Sequence, residues 1–327
     1  MTSEPLSPPP KPPPSTEEAA GNRSMNPRDI IAQAWAITLK ERQLRTWGFA
    51  SALLETLLST KLLIYQTWFL ISYWQGDPIG FFADVEWLSQ HLSFGWVAAI
   101  VTFFLILIFI EWIFPHFAKG AIVGLAAKSY KKEEVKGGLV LAVYNFFPLF
   151  AIHEFFFIGS VSMVITLSSI MLRYAPEIAP FGIGLMCMLF VFANILRFFF
   201  IMSEEGVVIR RLGIGQAMKA SFKLVISYLG HVVFLLILGF LISLRILLNA
   251  VMIFLVPGII IGVVFLFGSF LPFGIAVAIG AVIGLVIIGL ASYLFAYLEV
   301  FRQNVWTITY LELSKLKELD VIEEDKK

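Results

Sequence analysis

Six apolar stretches, at roughly residues 47 to 74, 95 to 114, 148 to 171, 180 to 202, 229 to 254 and 275 to 299, decide what this chain can be. A hydrocarbon core about 30 Å thick takes about 20 helical residues to cross. Each stretch is continuously apolar rather than alternating, which selects helices over a barrel. Composition agrees: mean hydropathy is +0.86, 59% of residues are hydrophobic and 14% are charged. A water-soluble chain of 327 residues needs a far more polar surface. The expectation is an all-α integral membrane protein with six transmembrane helices, arranged as three hairpins, each preceded by an amphipathic helix on the cytoplasmic side.

Charge bounds the partners. With 24 basic and 23 acidic residues the net charge is +1, so the basic surplus that nucleic acid requires is missing. The single cysteine, Cys187, sits inside an apolar run, which leaves no intrachain disulfide and no thiolate metal site. No secretory signal peptide is expected, because the first apolar stretch starts only near Trp47. Residues 1 to 25, with two proline triplets, read as a disordered or polyproline II tail. The membrane domain is placed at 26 to 318 and a charged tail at 319 to 327.

Orientation follows the basic residues. Arg28, Lys40, Arg42 and Arg45 precede the first stretch; Lys119, Lys128, Lys131, Lys132 and Lys136 join the second to the third. Arg210, Arg211, Lys219 and Lys223 join the fourth to the fifth, and Arg302, Lys315 and Lys317 follow the sixth. The alternate links carry only Arg173. Both termini are therefore expected in the cytoplasm, in the plasma membrane of the cell. PGIIIGVVFLFGSFLPFG, residues 257 to 274, is too short to cross and is bounded by proline and glycine. It reads as a re-entrant or interfacial turn, with extension of the fifth span as the alternative.

The chain repeats. QAWAITLK (Gln33 to Lys40) matches QAMKASFK (Gln216 to Lys223) at both ends, at the alanine and at the Thr/Ser pair. A segment near EEVKGGLVLAVYNF has similar character without identity. Asn26, Pro27 and Asp29 form a helix-start signal for the first copy. Setting Glu111 over Arg197 also sets Gly120 over Gly206, and Glu299 takes the third position. In span six, Ala276, Gly280 and Gly284 form a small-residue stripe suited to close helix packing.

Ionisable residues near the inner boundary supply the candidate site. Arg197 is expected at the centre of an inner-leaflet polar cluster with Glu154, Glu55 and Glu111, beside His153, since an unpaired carboxylate in an apolar setting seeks a cation or a proton. Structural pairing is the first reading and a proton or substrate pathway the second. Lys61 and Arg245 are expected toward the outer side, snorkelling to the headgroups. His91, His116 and His231 are scattered along the chain and imply no metal site. No cofactor is expected.

At the octapeptides, at EEGVVIRRLGIGQAMKASFKLV and at FRQNVWTITYLELSKLKE, the chain resembles a family of six-span bacterial and archaeal proteins related to the membrane domain of glycerophosphoryl diester phosphodiesterases. The resemblance spans about residues 26 to 318 and implies six crossings. In those phosphodiesterases a barrel following the membrane domain holds the catalytic residues. Here nine residues follow Glu318, so no catalytic residue carries over. No GxSxG, HExxH or P-loop motif is present, and GIGQAM lacks the third dinucleotide glycine. Three readings result. The first is a non-enzymatic accessory or scaffold protein that touches lipid headgroups, or a membrane or cytoplasmic protein partner, at the cytoplasmic face. The second is a small transporter or lipid-handling protein working through the polar cluster and the 257 to 274 segment. The third is an intramembrane enzyme built on His153 and Glu154.

Overall fold

The computed structural model describes residues 26 to 76 and 83 to 324. The N-terminal tail and residues 325 to 327 of the charged C-terminal tail lie outside the described residues, as do the side chains of Arg173 and Arg245. Among the described residues the fold is entirely helical: α1 (Pro27–Lys40), α2 (Arg42–Trp74), α3 (Ala83–His91), α4 (Phe94–Tyr130), α5 (Gly138–Phe155), α6 (Val161–Tyr174), α7 (Ala179–Phe199), α8 (Ser203–Arg210), α9 (Ile214–Ser227), α10 (Leu229–Gly268) and α11 (Phe273–Glu324). Five of these helices are long and apolar enough to cross a membrane, or six if α9 and the start of α10, bent by 96° at their junction, count as one span.

Helix starts follow local chemistry. Asn26 caps α1 by accepting from the Arg28 backbone N–H at 3.2 Å, with Pro27 at the first helical position and Lys40 in the last turn. Glu41, in an extended conformation, separates α1 from α2. Ser160 caps α6 by accepting from the Met163 N–H at 3.1 Å.

Burial is unevenly distributed along the long helices. In α4 the side chains of Phe103, Leu105, Ile106 and Phe109 are exposed, while Ala118 and every residue from Gly120 to Ala127 are buried. In α11 Val282, Leu285, Val286 and Leu290 are exposed, while Val300, Asn304, Ile308 and Tyr310 are buried. Apolar surface of this extent is compatible with a multi-pass membrane protein. The packed core thus gathers at the basic end of the molecule. There Ile30 and Ala34 of α1 meet Phe301, Val305 and Ile308 of α11, and Leu44 of α2 meets Ile122 and Leu125 of α4. Each such fully buried Leu or Ile contributes about 1.5–3 kcal/mol.

Two expected boundaries change. The helices of the second and sixth stretches outrun their apolar runs: α4 runs on from 114 to Tyr130 and α11 runs on from 299 to Glu324. Small residues explain α4, because Gly120 and Gly124 let α5 approach closely; a Cβ at Gly120 would stand 3.1 Å from the Leu141 carbonyl oxygen and 3.3 Å from Asn145 Cβ. The third stretch, expected as one helix over 148 to 171, is instead broken by a 3₁₀ turn at Phe157–Gly159 between α5 and α6. The break is anchored to α7, whose Asn194 Nδ2 donates to the Gly159 carbonyl at 2.9 Å.

The 257 to 274 segment does not turn at Pro257. Its helix continues α10 to Gly268, and the turn comes at Ser269 to Pro272. A helix in an apolar setting tolerates an internal proline where neighbouring groups or a local change of pitch satisfy the backbone carbonyl it frees. Gly280 and Gly284 face this continuation: a Cβ at Gly280 would meet Val264 Cγ2 at 2.6 Å, and one at Gly284 would meet Ile260 Cδ1 at 2.5 Å. Ala276 is fully buried on the same stripe.

The octapeptides share their buried positions. Ala34 and Ala217 are fully buried, as are Thr38 and Ser221 four residues on. Thr38 Oγ1 donates to the Ala34 carbonyl and accepts from Asn304 Nδ2, each at 2.8 Å. Ser221 Oγ donates to the Phe199 carbonyl and accepts from the Met202 N–H, each at 3.1 Å. Asn304 and Met202 stand at the same offset from Glu299 and Arg197, so the two halves of the repeat meet in the same register. Gly206, at the offset of Gly120, packs on Ala217, where an added Cβ would lie 3.4 Å from the alanine Cβ.

Candidate functional site

The residues expected in one cluster around Arg197 are distributed over four places. Glu111, fully buried on α4, receives two hydrogen bonds from Lys61 Nζ of α2, at 2.7 and 2.6 Å. Lys61 therefore lies level with Glu111 and does not snorkel outward. The reason is antiparallel geometry: Lys61 stands 13 residues before the end of α2 and Glu111 stands 17 after the start of α4, on helices that run side by side. Glu55, exposed on α2, comes within electrostatic reach of Glu299, Arg302 and Lys119. Arg302 Nη2 pairs with Glu299 Oε2 at 2.5 Å, one helical turn back on α11.

The third place joins residues that spacing along the chain did not connect. His116 of α4 and His153 of α5 have ring centroids 4.1 Å apart. Glu154 Oε1 lies 3.9 Å from His116 Nε2 and 3.5 Å from His153 Nδ1. One ligand atom from each of the three residues falls within 4.8 Å of the others. His116 thus finds its neighbour in His153, and not in His91 or His231, with which it shares no metal-ligand spacing along the chain. Which side chains face each other across α4 and α5 depends on helix crossing, which residue spacing does not encode.

Arg197 occupies the fourth place. It lines a cavity of about 530 Å³ together with Lys119, Arg302, Glu204 and Glu205, under apolar walls that include Phe156, Phe198 and Phe240. Lys119 pairs with Glu204, and Arg302 is held by Glu299. Arg197 makes no ion pair among the described residues, although its charge reaches His153 and Glu299. Asn194, Ser203 and Gln303 add hydrogen-bonding groups. The walls run between α7 and α10, and Phe240 is 65% exposed, so the cavity abuts the apolar flank of the molecule.

Glu205, on α8, is fully buried and accepts from Gln303 Nε2 at 2.7 Å, while its Oε2 has no partner among the described residues. Burial first, and then the neighbouring Glu204 carboxylate, push its pKa up to about 8. At neutral pH Glu205 is therefore mostly protonated, and the fixed charge facing the cavity is net positive. Polar character in 203 to 205 was visible in the sequence, but its burial comes from packing against α9 and α11. Comparison with protein-family models, with curated proteins and with solved structures finds no match for this chain.

Proposed function

We propose that this is a non-enzymatic, multi-pass membrane protein that holds an anionic lipid headgroup in the Arg197 cavity. The reading joins the accessory role expected from the sequence to its lipid-handling alternative. The observation that carries it is a guanidinium without an ion pair among the described residues, beside Lys119 and Arg302 in a cavity of about 530 Å³ that abuts the apolar flank. An arginine fork matches the oxygens of a phosphate, and the exposed aromatic wall suits an acyl chain. In this reading the chain crosses the plasma membrane six times as three hairpins. The packed basic core and both termini face the cytoplasm, and α6 serves as a short crossing after the break that follows α5. Kinship with the membrane domain of glycerophosphoryl diester phosphodiesterases is proposed on the repeats and motifs that suggest it.

The test is lipid retention. Protein purified from a mixed membrane is extracted and its tightly held lipid identified. Enrichment of anionic phospholipid over the bulk membrane, lost in Arg197→Gln at unchanged folded yield, is the expected result. Equal composition in both proteins overturns the proposal.

A further inference from the structure

We propose that His116, His153 and Glu154 form a binding site for a divalent first-row transition metal, separate from the Arg197 cavity. The donor set is two imidazoles and one carboxylate, which suits zinc and its neighbours and leaves coordination positions open. Bonds of about 2.0–2.1 Å from a tetrahedral zinc ion place neighbouring ligand atoms ~3.3 Å apart. The 3.5 and 3.9 Å separations measured from Glu154 Oε1 come close to that edge without any change of backbone.

A second observation points the same way. His153 Nδ1 and Glu154 Oε1 are both buried and neither has a hydrogen-bond partner among the described residues. Buried polar atoms are rarely left so, and these two face one another and His116 Nε2. A metal ion at their centre satisfies all three. The surroundings fit as well. His153 and Glu154 occupy the last turn of α5, where the helix dipole favours a cation. A small cavity of about 30 Å³, lined by His153, Ser160, Glu204 and also Arg197, adjoins the cluster and is large enough for water in an open coordination position. Lys119, paired with Glu204, and Arg197 are the cations opposing the ion, and Glu154 is the anion favouring it.

Full-length protein, purified in detergent and stripped with a chelator, is titrated with zinc alone and the bound metal counted. One zinc per chain is expected, with affinity lowered at least ~10-fold in His116→Gln and in Glu154→Gln, and with His231→Gln unaffected. X-ray absorption at the zinc edge of the wild-type protein provides a readout independent of any variant's folding. Two imidazole nitrogens and one or more oxygens at about 2.0–2.1 Å support the site. Failure of monodisperse wild-type protein to bind zinc stoichiometrically, a first shell without imidazole, or undiminished binding in both folded variants overturns it.

Discussion

Lys61 Nζ lies 2.7 and 2.6 Å from the two carboxylate oxygens of Glu111, the one of the pair that is fully buried. The bond ties α2 to α4 at a level where both helices are surrounded by apolar side chains. Removing one partner strands the other, which for a buried pair costs about 3–5 kcal/mol; the partial exposure of Lys61 puts the expected loss at the lower end. Lys61→Met should therefore lower thermal stability in detergent clearly. Combining it with Glu111→Leu should recover much of the loss, because the stranded carboxylate is then gone. A double variant as unstable as the sum of the two singles would show that the pair is not coupled.

Glycines at two positions should respond with opposite signs. Gly120 is hemmed in by the Leu141 carbonyl and Asn145, whereas Gly215 in α9 has nothing within 4 Å of an added Cβ. Gly120→Ala should destabilise by about 1–3 kcal/mol through overpacking. Gly215→Ala should stabilise by about 0.5–1 kcal/mol, the ordinary helix preference. Unfolding midpoints of the two variants measure this directly.

The hydroxyls of the repeat should prove equivalent. Thr38→Val leaves Asn304 Nδ2 without its 2.8 Å acceptor, and Ser221→Ala leaves the Met202 N–H without its 3.1 Å acceptor. Ser221→Ala should cost about 1–3 kcal/mol, the penalty for an unsatisfied buried donor, and Thr38→Val about 0.5–1.5 kcal/mol, because Asn304 Nδ2 keeps the Ala34 carbonyl as a second acceptor at 3.4 Å. If only one of the two variants is destabilised, the octapeptide match does not reflect a shared structural role.

Stability should fall as pH rises. Glu205 has its pKa raised to about 8, from an ordinary carboxylate value of 4.5, so the folded chain holds a proton that the unfolded chain releases. Its stabilising contribution is complete below pH 4.5, declines up to about pH 8 and then stays level. Glu205→Gln should flatten the pH profile of the unfolding temperature across that window, and an unchanged slope would place the titrating group elsewhere.

Orientation is measurable by labelling. In a Cys187→Ser background, Glu177→Cys between α6 and α7 should react with an impermeant thiol reagent in intact cells. Glu134→Cys between α4 and α5 should react only after the membrane is opened. The reverse pattern would invert the proposed topology.

What the sequence reveals, it reveals through composition and short-range pattern. The apolar stretches identify α2, α4, α7 and α11 because lipid demands long uninterrupted runs. The paired Ala and Thr/Ser of the octapeptides are legible because the same burial recurs in both copies. The level of Lys61 with Glu111 was also available, by counting residues from the shared end of two antiparallel helices. The extensions of α4 and α11 beyond their apolar stretches were hidden, because a run such as GAIVGLAA reads equally as a link or as a buried helix until its neighbours are known. Hidden too was the meeting of His116 with His153, which depends on how α4 crosses α5. The solitary Arg197 was found for its charge, but its cavity arises from α7, α8, α10 and α11 together.

The most direct test of the Arg197 cavity is an equilibrium titration of the purified protein with short-chain phospholipids. An anionic phosphatidyl lipid should bind at least ~10-fold more tightly than its zwitterionic choline counterpart, a difference of about 1.4 kcal/mol. That preference should weaken with added salt and vanish in Arg197→Gln. Equal affinity of wild-type protein for both lipids, or a preference untouched by loss of the guanidinium, would contradict the account.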